Sequence, residues 1–187
     1  MNIVFLQAKK PLAKEISKTG TKPYPLVKNF TSSEEDISLD KKGLNKLFRA
    51  LGAAAEAGAC MHKGPLKRPL KDEPRAFMSD RTAPTELLVL DIDGLRATPG
   101  DDIQAMADRI VLQLPDIFHD CSYIVQASAS LGVKKDTISL HLFFLMDMLV
   151  HPKTLKDFLR NLNYECEFLA EQITLSANGQ SLSCVLD

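Results

Sequence analysis

The sequence predicts an α+β domain in which helices alternate with mostly antiparallel strands. Several segments place apolar residues at helical spacing, short β-prone apolar runs lie between them, and no internal repeat is visible. Residues 123–127 and 138–146 are two such runs, separated by a turn-like segment that contains Gly132, as expected for neighbouring antiparallel strands. With 187 residues, of which 45% are apolar, the chain is long enough to bury an ordinary core.

The first 38 residues are expected to form a loosely packed N-terminal segment, followed by one domain over residues 39–187. A short strand is predicted at residues 3–6, but the Lys/Thr/Gly-rich stretch after it has no apolar periodicity and favours extended surface chain. An amphipathic helix is predicted from Asp40 to Ala57, with Gly58 as its C-terminal stop.

The second half predicts further helices and strands in order. A helix over residues 101–114 should end at Pro115, and the two apolar strands follow it. Pro152 opens another helix, and helical character is expected again over residues 165–175. Asn178-Gly179 should then turn the chain into a final strand over residues 181–187.

Charge and cysteine usage exclude some classes of protein. A net charge of −1 excludes a globally basic protein that coats nucleic acid, although local basic patches remain possible. No segment approaches a membrane span or a signal peptide, so a cytoplasmic location with reduced thiols is expected. A zinc site built from the pairs Cys60/His62 and His119/Cys121 is not favoured, because the tight knuckle spacing of structural zinc sites is missing.

The most informative stretch is Leu-Leu-Val-Leu-Asp-Ile-Asp-Gly at residues 87–94. Side chains alternate between the faces of a strand, so Asp91 and Asp93 are predicted to share one face about 6.5–7 Å apart. Two neighbouring carboxylates repel each other, and a hard cation such as Mg²⁺ or Mn²⁺ relieves this repulsion. The alternative is a strand whose end exposes two solvated acids.

A second polar cluster connects the two middle strands. Ser139 and His141 are two residues apart and should share a face that would otherwise be apolar. The preceding turn could offer hydroxyl, ammonium and backbone N–H groups to phosphate oxygens. Its candidate nucleotide-binding residues are Ser128, Ser130, Lys134 and Lys135. A satisfied histidine beside an ordinary solvated loop is the alternative.

Residues 63–85 form a long basic stretch with four prolines and no apolar periodicity. Such a loop is either a solvated connector or a basic arm that contacts a polyanion. We expect it to border the site and to be mobile without nucleic acid, because it has little to pack. Its basic residues are Lys63, Lys67, Arg68, Lys71, Arg75 and Arg81, of which Lys63, Arg68, Arg75 and Arg81 are the candidates for binding nucleic acid.

A third apolar run, Cys-Val-Leu-Asp, ends in Asp187. The motifs Asp-x-Asp, Ser-x-His and apolar-apolar-Asp therefore follow one another on three predicted strands. In this order they resemble the catalytic domains of the archaeo-eukaryotic primase superfamily, over about residues 85–187. The flanking sequences are similar to phage and plasmid members, which are often parts of longer primase–helicase proteins.

This resemblance implies a two-lobed domain with a C-terminal lobe related to RNA-recognition folds. Asp91, Asp93 and Asp187 would hold two Mg²⁺ or Mn²⁺ ions, while Ser139 and His141 would contact the triphosphate of the incoming nucleotide. The implied activity is template-directed nucleotidyl transfer for primer synthesis, with nucleoside triphosphates, a single-stranded DNA template and a downstream helicase domain as partners. Family domains continue past the third acid, so the resemblance also implies a fragment that is truncated on its C-terminal side and can be inactive alone.

Two other functions fit parts of the sequence. Val-Leu-Asp-Ile-Asp-Gly-Leu also resembles the nucleophile motif of haloacid dehalogenase-type phosphatases, in which Asp91 would attack phosphorus. That motif normally lies near the N-terminus and needs a later lysine and acidic pair. A non-catalytic, nucleic-acid-binding replication-initiation module is the second alternative, and it would depend on the basic loop but not on the aspartates.

Overall fold

The protein is a mixed α+β protein whose sheets are mostly antiparallel. The structure is a computed structural model that describes residues 1–98, 100–133, 136–176 and 179–186. The strands are β1 (Asn2–Gln7), β2 (Glu15–Ser17), β3 (Gly20–Lys22), β4 (Asn29–Asp36), β5 (Cys60–His62), β6 (Glu73–Pro74), β7 (Thr85–Arg96), β8 (Tyr123–Ala127), β9 (Thr137–Val150), β10 (Thr174–Leu175) and β11 (Leu182–Ser183). The helices are α1 (Lys41–Glu56), α2 (Ile103–Gln113), α3 (Pro152–Glu165) and α4 (Glu167–Ala170), with one 3-10 turn at Asp116–Phe118.

The chain divides into two compact units, and neither is one continuous segment. Unit 1 comprises residues 1–86 and 145–152, and unit 2 comprises residues 87–144 and 153–187. No helix among the described residues is both long enough and apolar enough to cross a membrane.

Unit 1 is built around a four-stranded sheet in the order β5-β1-β4-β6. The first strand, β1, lies antiparallel to both β4 and β5, and its four apolar side chains are all buried. A continuous apolar run such as Ile-Val-Phe-Leu is expected where both faces of a strand are covered. Val4, Leu6, Phe30 and Leu70 form one cluster of its core.

The N-terminal segment is more tightly packed than predicted. Leu6 and Ile37 are fully buried, so the expectation of a loosely packed segment over residues 1–38 is wrong at both its ends. No apolar alternation marks β4 in the sequence, because only Phe30 is buried in Asn-Phe-Thr-Ser-Ser-Glu-Glu-Asp. Hydrogen bonding to β1, rather than apolar alternation, holds this strand in the sheet.

Helix α1 follows the predicted helix closely. Asp40 is its N-cap, and the carboxylate accepts a hydrogen bond from the backbone N–H of Gly43 at 2.8 Å. Leu47 and Leu51 face the core. Gly58 follows the end of the helix with φ of +64°, which a residue without a side chain adopts at no steric cost.

Unit 2 contains a three-stranded sheet in the order β7-β9-β8. The strands β8 and β9 are antiparallel, and both match the predicted strands, although β9 extends to Val150. One face of the sheet is apolar, and the ring of Phe118 contacts both Phe144 of β9 and Phe158 of α3. Helix α2 also matches its prediction and ends before Pro115.

The C-terminal region differs from its prediction. Within residues 165–175, where helix was expected, the helical residues are Glu165 at the end of α3 and α4 (Glu167–Ala170). The predicted final strand is reduced to β11 and an isolated antiparallel bridge between Leu186 and Ile92. Since β9 occupies the other edge of β7, the segment around Leu186 lies along the remaining edge. The sheet order is therefore this segment, then β7, β9 and β8. Asn178 of the predicted turn lies outside the described residues.

Candidate active site

Asp91 and Asp93 lie on one face of β7, as the alternation of the sequence predicts. Leu90 and Ile92 point to the other face, where they are fully buried. The Asp91 side chain is 43% exposed, and Asp93 is an exposed residue. The same strand therefore carries a core face and an acidic face.

Ser139 and His141 of β9 lie directly beside the two aspartates. The Ser139 hydroxyl donates a hydrogen bond to Oδ1 of Asp93 at 2.6 Å, and Nε2 of His141 lies 3.1 Å from Oδ1 of Asp91. Ser139 contacts Asp93 and His141 contacts Asp91, so the contacts follow β7 backwards as they follow β9 forwards. The two strands therefore run antiparallel. The structure thus brings the Asp-x-Asp and Ser-x-His motifs together, side chain against side chain.

The two contacts differ in burial. Ser139 is fully buried, and its hydrogen bond to a carboxylate has the short length that charge-assisted O–H···O⁻ bonds adopt. The His141 side chain is 30% exposed, and its ring meets Phe143 edge-on with 6.3 Å between ring centroids. Ser139 is therefore placed to orient Asp93, while His141 keeps part of its ring open to a ligand.

The β8 strand extends the same polar face. Gln126 is paired with His141 in the register of β8 and β9, so both side chains point to the same side of the sheet. Beyond the end of β8, the backbone N–H of Ser128 donates to the carbonyl of Ser139 at 3.0 Å. Ser128 is half-buried and Ser130 is buried, so of these two serines Ser128 is the more accessible to a ligand. Lys134 and Lys135 lie outside the described residues.

The backbone of the C-terminal segment is fixed next to the aspartates. The backbone N–H of Asp93 donates to the carbonyl of Val185 at 3.0 Å, and Leu186 is paired with Ile92. Asp187, the predicted third acid, lies outside the described residues. Its convergence with Asp91 and Asp93 stays a prediction.

Asn163 of α3 is a residue of this region that the sequence analysis missed. Leu186 is paired with Ile92, and the neighbouring hydrogen bond joins the Asp93 N–H to the Val185 carbonyl, so Leu186 and Ile92 form a non-hydrogen-bonded pair. In such a pair the N–H and C=O groups of Leu186 point away from β7. The Asn163 side chain meets both groups: its amide nitrogen donates to the Leu186 carbonyl at 2.8 Å, and its oxygen accepts from the Leu186 N–H at 3.2 Å. This buried amide therefore bonds to the segment as a neighbouring strand would. The available signal was an asparagine on the apolar stripe of a helix, four residues after Leu159.

The acidic face suits a divalent cation that retains some of its water. Among the described ranges no group of three or more His, Cys, Asp or Glu side chains is arranged to hold a metal ion. Two carboxylates on an open strand face are nevertheless a common arrangement for Mg²⁺, which is typically held by one or two carboxylates together with substrate phosphates. Asp91 and Asp93 are the residues that would hold such an ion.

Comparison of the chain with protein-family models, with curated proteins and with solved structures gave no match. The function is therefore inferred from the chain's own residues.

The predicted nucleic-acid-binding residues lie in unit 1, in a segment that is better packed than expected. Leu70 is fully buried, so the expectation that residues 63–85 have little to pack is wrong for this part of the loop. His62 bonds through Nδ1 to the Gly64 carbonyl and through Nε2 to the Ser79 hydroxyl, each at 2.8 Å, which fixes both ends of the loop. Whether the loop borders the aspartates stays a prediction.

Two of the loop's four candidate cations are already engaged within the protein. Arg68 binds both carboxylate oxygens of Glu73 at 2.5 Å, and the guanidinium of Arg75 lies 5.5 Å from the ring centroid of Phe30. Lys63 and Arg81 are exposed, and neither forms an ion pair with a described residue.

All four cysteines are free.

Proposed function

We propose that the chain is a metal-dependent nucleotidyltransferase of the primase-polymerase type. The observation that carries the proposal is the convergence of Asp91, Asp93, Ser139 and His141 on one face of one sheet, through contacts of 2.6 and 3.1 Å. Paired carboxylates with a hydroxyl and an imidazole in direct contact are the groups that metal-dependent phosphoryl transfer uses, and such clusters of interacting titratable groups occur preferentially at functional sites.

The connectivity of unit 2 supports the finer assignment of its fold. The order β7, α2, β8, β9, α3 and a final extended segment, with that segment and β9 on either side of β7, has the pattern of the split β-α-β arrangement. RNA-recognition folds are built on a four-stranded sheet of this kind. We propose that unit 2 corresponds to the RNA-recognition-like lobe that the motif resemblance implies.

Each residue then has a distinct role in the proposed reaction. Asp91 and Asp93 would hold one or two Mg²⁺ or Mn²⁺ ions, and Asp187 would supply a third carboxylate. When bound, a metal ion would lower the pKa of a primer 3′-hydroxyl and neutralise charge on the phosphates. Ser139 holds Asp93 in its orientation, and His141 donates a hydrogen bond to the nucleotide's triphosphate.

The chain's residues would bind and align the reactants for an in-line displacement. The hydroxyl oxygen forms a bond to the α-phosphorus, the bond from that phosphorus to the bridging oxygen breaks, and pyrophosphate leaves while the hydroxyl proton passes to water. Serine and lysine groups of the turn after β8 would contact the departing phosphates, with Ser128, Ser130, Lys134 and Lys135 as the candidates.

The direct test is primer extension on a single-stranded DNA template with Mg²⁺ or Mn²⁺ and either type of nucleoside triphosphate. The Asp91→Asn and Asp93→Asn variants should lose extension by at least about 100-fold, since each removes a metal-binding charge. Asp147→Asn is the matched control, because Asp147 is an exposed aspartate in the part of β9 that belongs to unit 1, six residues after His141, and it should retain activity.

A binding measurement covers the case in which the chain is inactive alone. Mn²⁺ binding followed by electron paramagnetic resonance should weaken at least about tenfold in Asp93→Asn and remain unchanged in Asp147→Asn. His141→Ala should reduce triphosphate affinity in the presence of Mn²⁺. Unchanged Mn²⁺ and triphosphate binding in these variants would contradict the proposal, and a phosphorylated Asp91 would point to the phosphatase alternative instead.

A further inference from the structure

The most basic exposed segment of the described chain is the arm formed by residues 9–28. It contains six lysines, Lys9, Lys10, Lys14, Lys18, Lys22 and Lys28, against a single acid, Glu15. All six lysines are exposed. The basic loop over residues 63–85, by contrast, carries six basic residues against three acids.

The arm is anchored at its two ends and exposed between them. Leu12 and Val27 pack against the core cluster of unit 1, and the Leu12 N–H donates to the Gly58 carbonyl at 2.7 Å. Between these anchors β2 and β3 form a hairpin with only three paired residues on each strand. A two-stranded hairpin of this length is marginally stable by itself, so it is held by its ends and not by a core of its own.

Four of the arm's positive charges have no ion-pair partner among the residues that the structure describes. Lys9 pairs with Asp72 at 2.7 Å and Lys22 pairs with Glu15 at 3.0 Å. Within the described ranges, no ion pair involves Lys10, Lys14, Lys18 or Lys28. Unbalanced like charges on one exposed hairpin repel each other, and a polyanion would relieve that repulsion.

One aromatic side chain accompanies these charges. The Tyr24 ring is 54% exposed, and the Lys14 ammonium lies 5.5 Å from its centroid. An exposed ring beside unpaired cations is the combination that single-stranded nucleic acids use, since the bases stack and the phosphates meet the charges. The arm offers no amphipathic helix, which is the usual element for binding to a membrane surface.

We propose that residues 9–28 form a binding arm for the phosphate backbone of single-stranded nucleic acid. The arm belongs to unit 1, whereas the acidic face belongs to unit 2. The inference rests on the proposed function only for the choice of a single strand as the partner. Binding by the arm needs no metal, no nucleotide and no sequence recognition.

The test is fluorescence anisotropy of a labelled single-stranded DNA oligonucleotide with the full chain, without metal or nucleotide, across a series of salt concentrations. The variant replaces Lys10, Lys14, Lys18 and Lys28 by Gln. Each phosphate contact contributes about 0.7 to the slope of log affinity against log salt for a single strand, so the slope should become shallower by about two to three. Affinity at low salt should fall at least about tenfold.

Matched variants separate the arm from a general effect of charge. Replacing Lys41, Lys42, Arg49 and Lys156 by Gln removes the same charge from exposed positions of α1 and α3 and should leave both affinity and slope near those of the parent. Replacing the four arm lysines by Arg should preserve binding. Asp93→Asn should also preserve DNA binding by the arm. Failure of the proposed catalytic function and failure of the proposed arm can therefore be told apart.

Three outcomes would overturn the inference. The first is equal loss in the arm and control variants, which would indicate a diffuse charge effect. The second is parental affinity and slope in the arm variant. The third is an arm variant that loses binding to anionic phospholipid vesicles while its DNA binding is unchanged, which would assign the arm to a membrane surface.

Discussion

At the scale of single residues, the acidic face depends on side chains that are buried to very different degrees. Ser139 is inaccessible and bonds to Asp93, whereas Asp93 itself is exposed. A buried donor that holds an exposed carboxylate fixes the direction of that carboxylate without removing it from water. The charge is therefore oriented at little desolvation cost.

We expect Ser139→Ala to destabilise the protein by about 1 kcal/mol, because a charge-assisted hydrogen bond is lost while Asp93 can still be solvated. Urea denaturation measures the change, and Ser122→Ala at an exposed position is the control. In an Asp93→Ala background the same substitution should cost clearly less. Equal costs in both backgrounds would mean that the hydroxyl stabilises the fold through some other contact.

Glu73 gives a prediction about pH. Hydrogen bonds from the Arg68 side chain, and then from the Lys71 backbone N–H, lower the pKa of Glu73 from 4.5 to about 2. A depressed folded-state pKa contributes stability that is present above the unfolded-state pKa and is lost as the pH falls toward the folded-state value. That contribution should therefore disappear between about pH 4.5 and pH 2.

Carbon-detected NMR titration of the Glu73 carboxyl measures this pKa directly. In Arg68→Gln the titration midpoint should move up toward the ordinary value of 4.5, since the largest cause of the shift is removed. Lys63→Gln, which removes an exposed cation from the same loop, should leave the midpoint in place. A midpoint near 4.5 in the parent protein would show that the Arg68 contact does not persist in solution.

At the scale of elements, α1 contains two glycines with opposite surroundings. A Cβ added at Gly43 would lie 1.7 Å from the backbone carbonyl oxygen of Ser38, whereas one added at Gly52 would meet nothing within 4 Å. Both positions lie within the helix, so intrinsic helix propensity favours alanine at each.

Gly52→Ala should stabilise the protein by about 0.4–1 kcal/mol, because alanine loses less backbone entropy on folding. Gly43→Ala should destabilise it, because the clash involves backbone atoms and can be relieved only by moving the helix or the preceding turn. Thermal denaturation of the two variants side by side measures both signs. Stabilisation by both substitutions would indicate that Ser38 moves aside readily.

Asn163 tests the attachment of the C-terminal segment to α3. Asn163→Leu keeps the branching of the side chain, with methyl groups in place of the amide oxygen and nitrogen, but leaves the buried N–H and C=O groups of Leu186 without their partner, each at a cost of about 1–3 kcal/mol. We expect a loss of about 2–4 kcal/mol in urea denaturation. Asn161→Leu, at an exposed position of the same helix, should change stability by less than about 0.5 kcal/mol.

The Asn163→Leu variant also tests whether Asn163 positions the C-terminal segment against β7 in addition to stabilising the fold. Under conditions where Asn163→Leu remains folded, hydrogen exchange at the Asp93 amide should speed up, because its acceptor is the carbonyl of Val185 in the attached segment. Unchanged protection at Asp93 would mean that the segment stays paired with β7 without the asparagine.

Sequence periodicity predicted the elements that bury an apolar stripe. It failed for segments whose secondary structure is decided by tertiary contacts. Helix α1 and strand β8 were predicted nearly to the residue, since their core-facing side chains follow helical or alternating spacing. Strand β4 was missed because its partners, and not its side chains, hold it in the sheet. Residues 171–175 were predicted as helix, but α4 ends at Ala170 and Thr174 begins a strand.

The same distinction applies to the site. Alternation alone placed Asp91 with Asp93 and Ser139 with His141, because two residues on one strand share a face whatever the tertiary fold. That the two pairs meet could be expected only from the motif resemblance, since no local pattern specifies which strands are neighbours. The role of Asn163 depends on a backbone 23 residues away and was beyond any local argument.

At the scale of the whole molecule, the two units share the chain in alternation. Unit 1 takes residues 145–152 from beyond the first part of unit 2, and His151 of that segment contacts the Thr82 carbonyl through Nδ1 at 3.3 Å. Unit 1 is therefore incomplete when it is cut at residue 86.

We expect a fragment of residues 1–86 to be less stable than the same fragment joined through a short Gly/Ser linker to residues 145–152. The linked fragment regains the part of β9 that belongs to unit 1. Thermal denaturation followed by circular dichroism compares the two, and a linked fragment in which residues 145–152 are scrambled is the control. If all three melt at the same temperature, residues 145–152 contribute nothing to unit 1.

This alternation has a consequence for how the protein is made. As the chain leaves the ribosome, the apolar strand β1 and its neighbours appear first, but residues 145–152 follow only after residues 87–144 have been translated. At about 5–20 residues per second that interval lasts roughly three to twelve seconds. For that time unit 1 lacks residues 145–152 and the contact of His151 with the Thr82 carbonyl, and incompletely folded intermediates are the species that chaperones bind and that aggregate. Slowed translation within residues 87–144 should therefore reduce the yield of correctly folded protein even though it changes no residue.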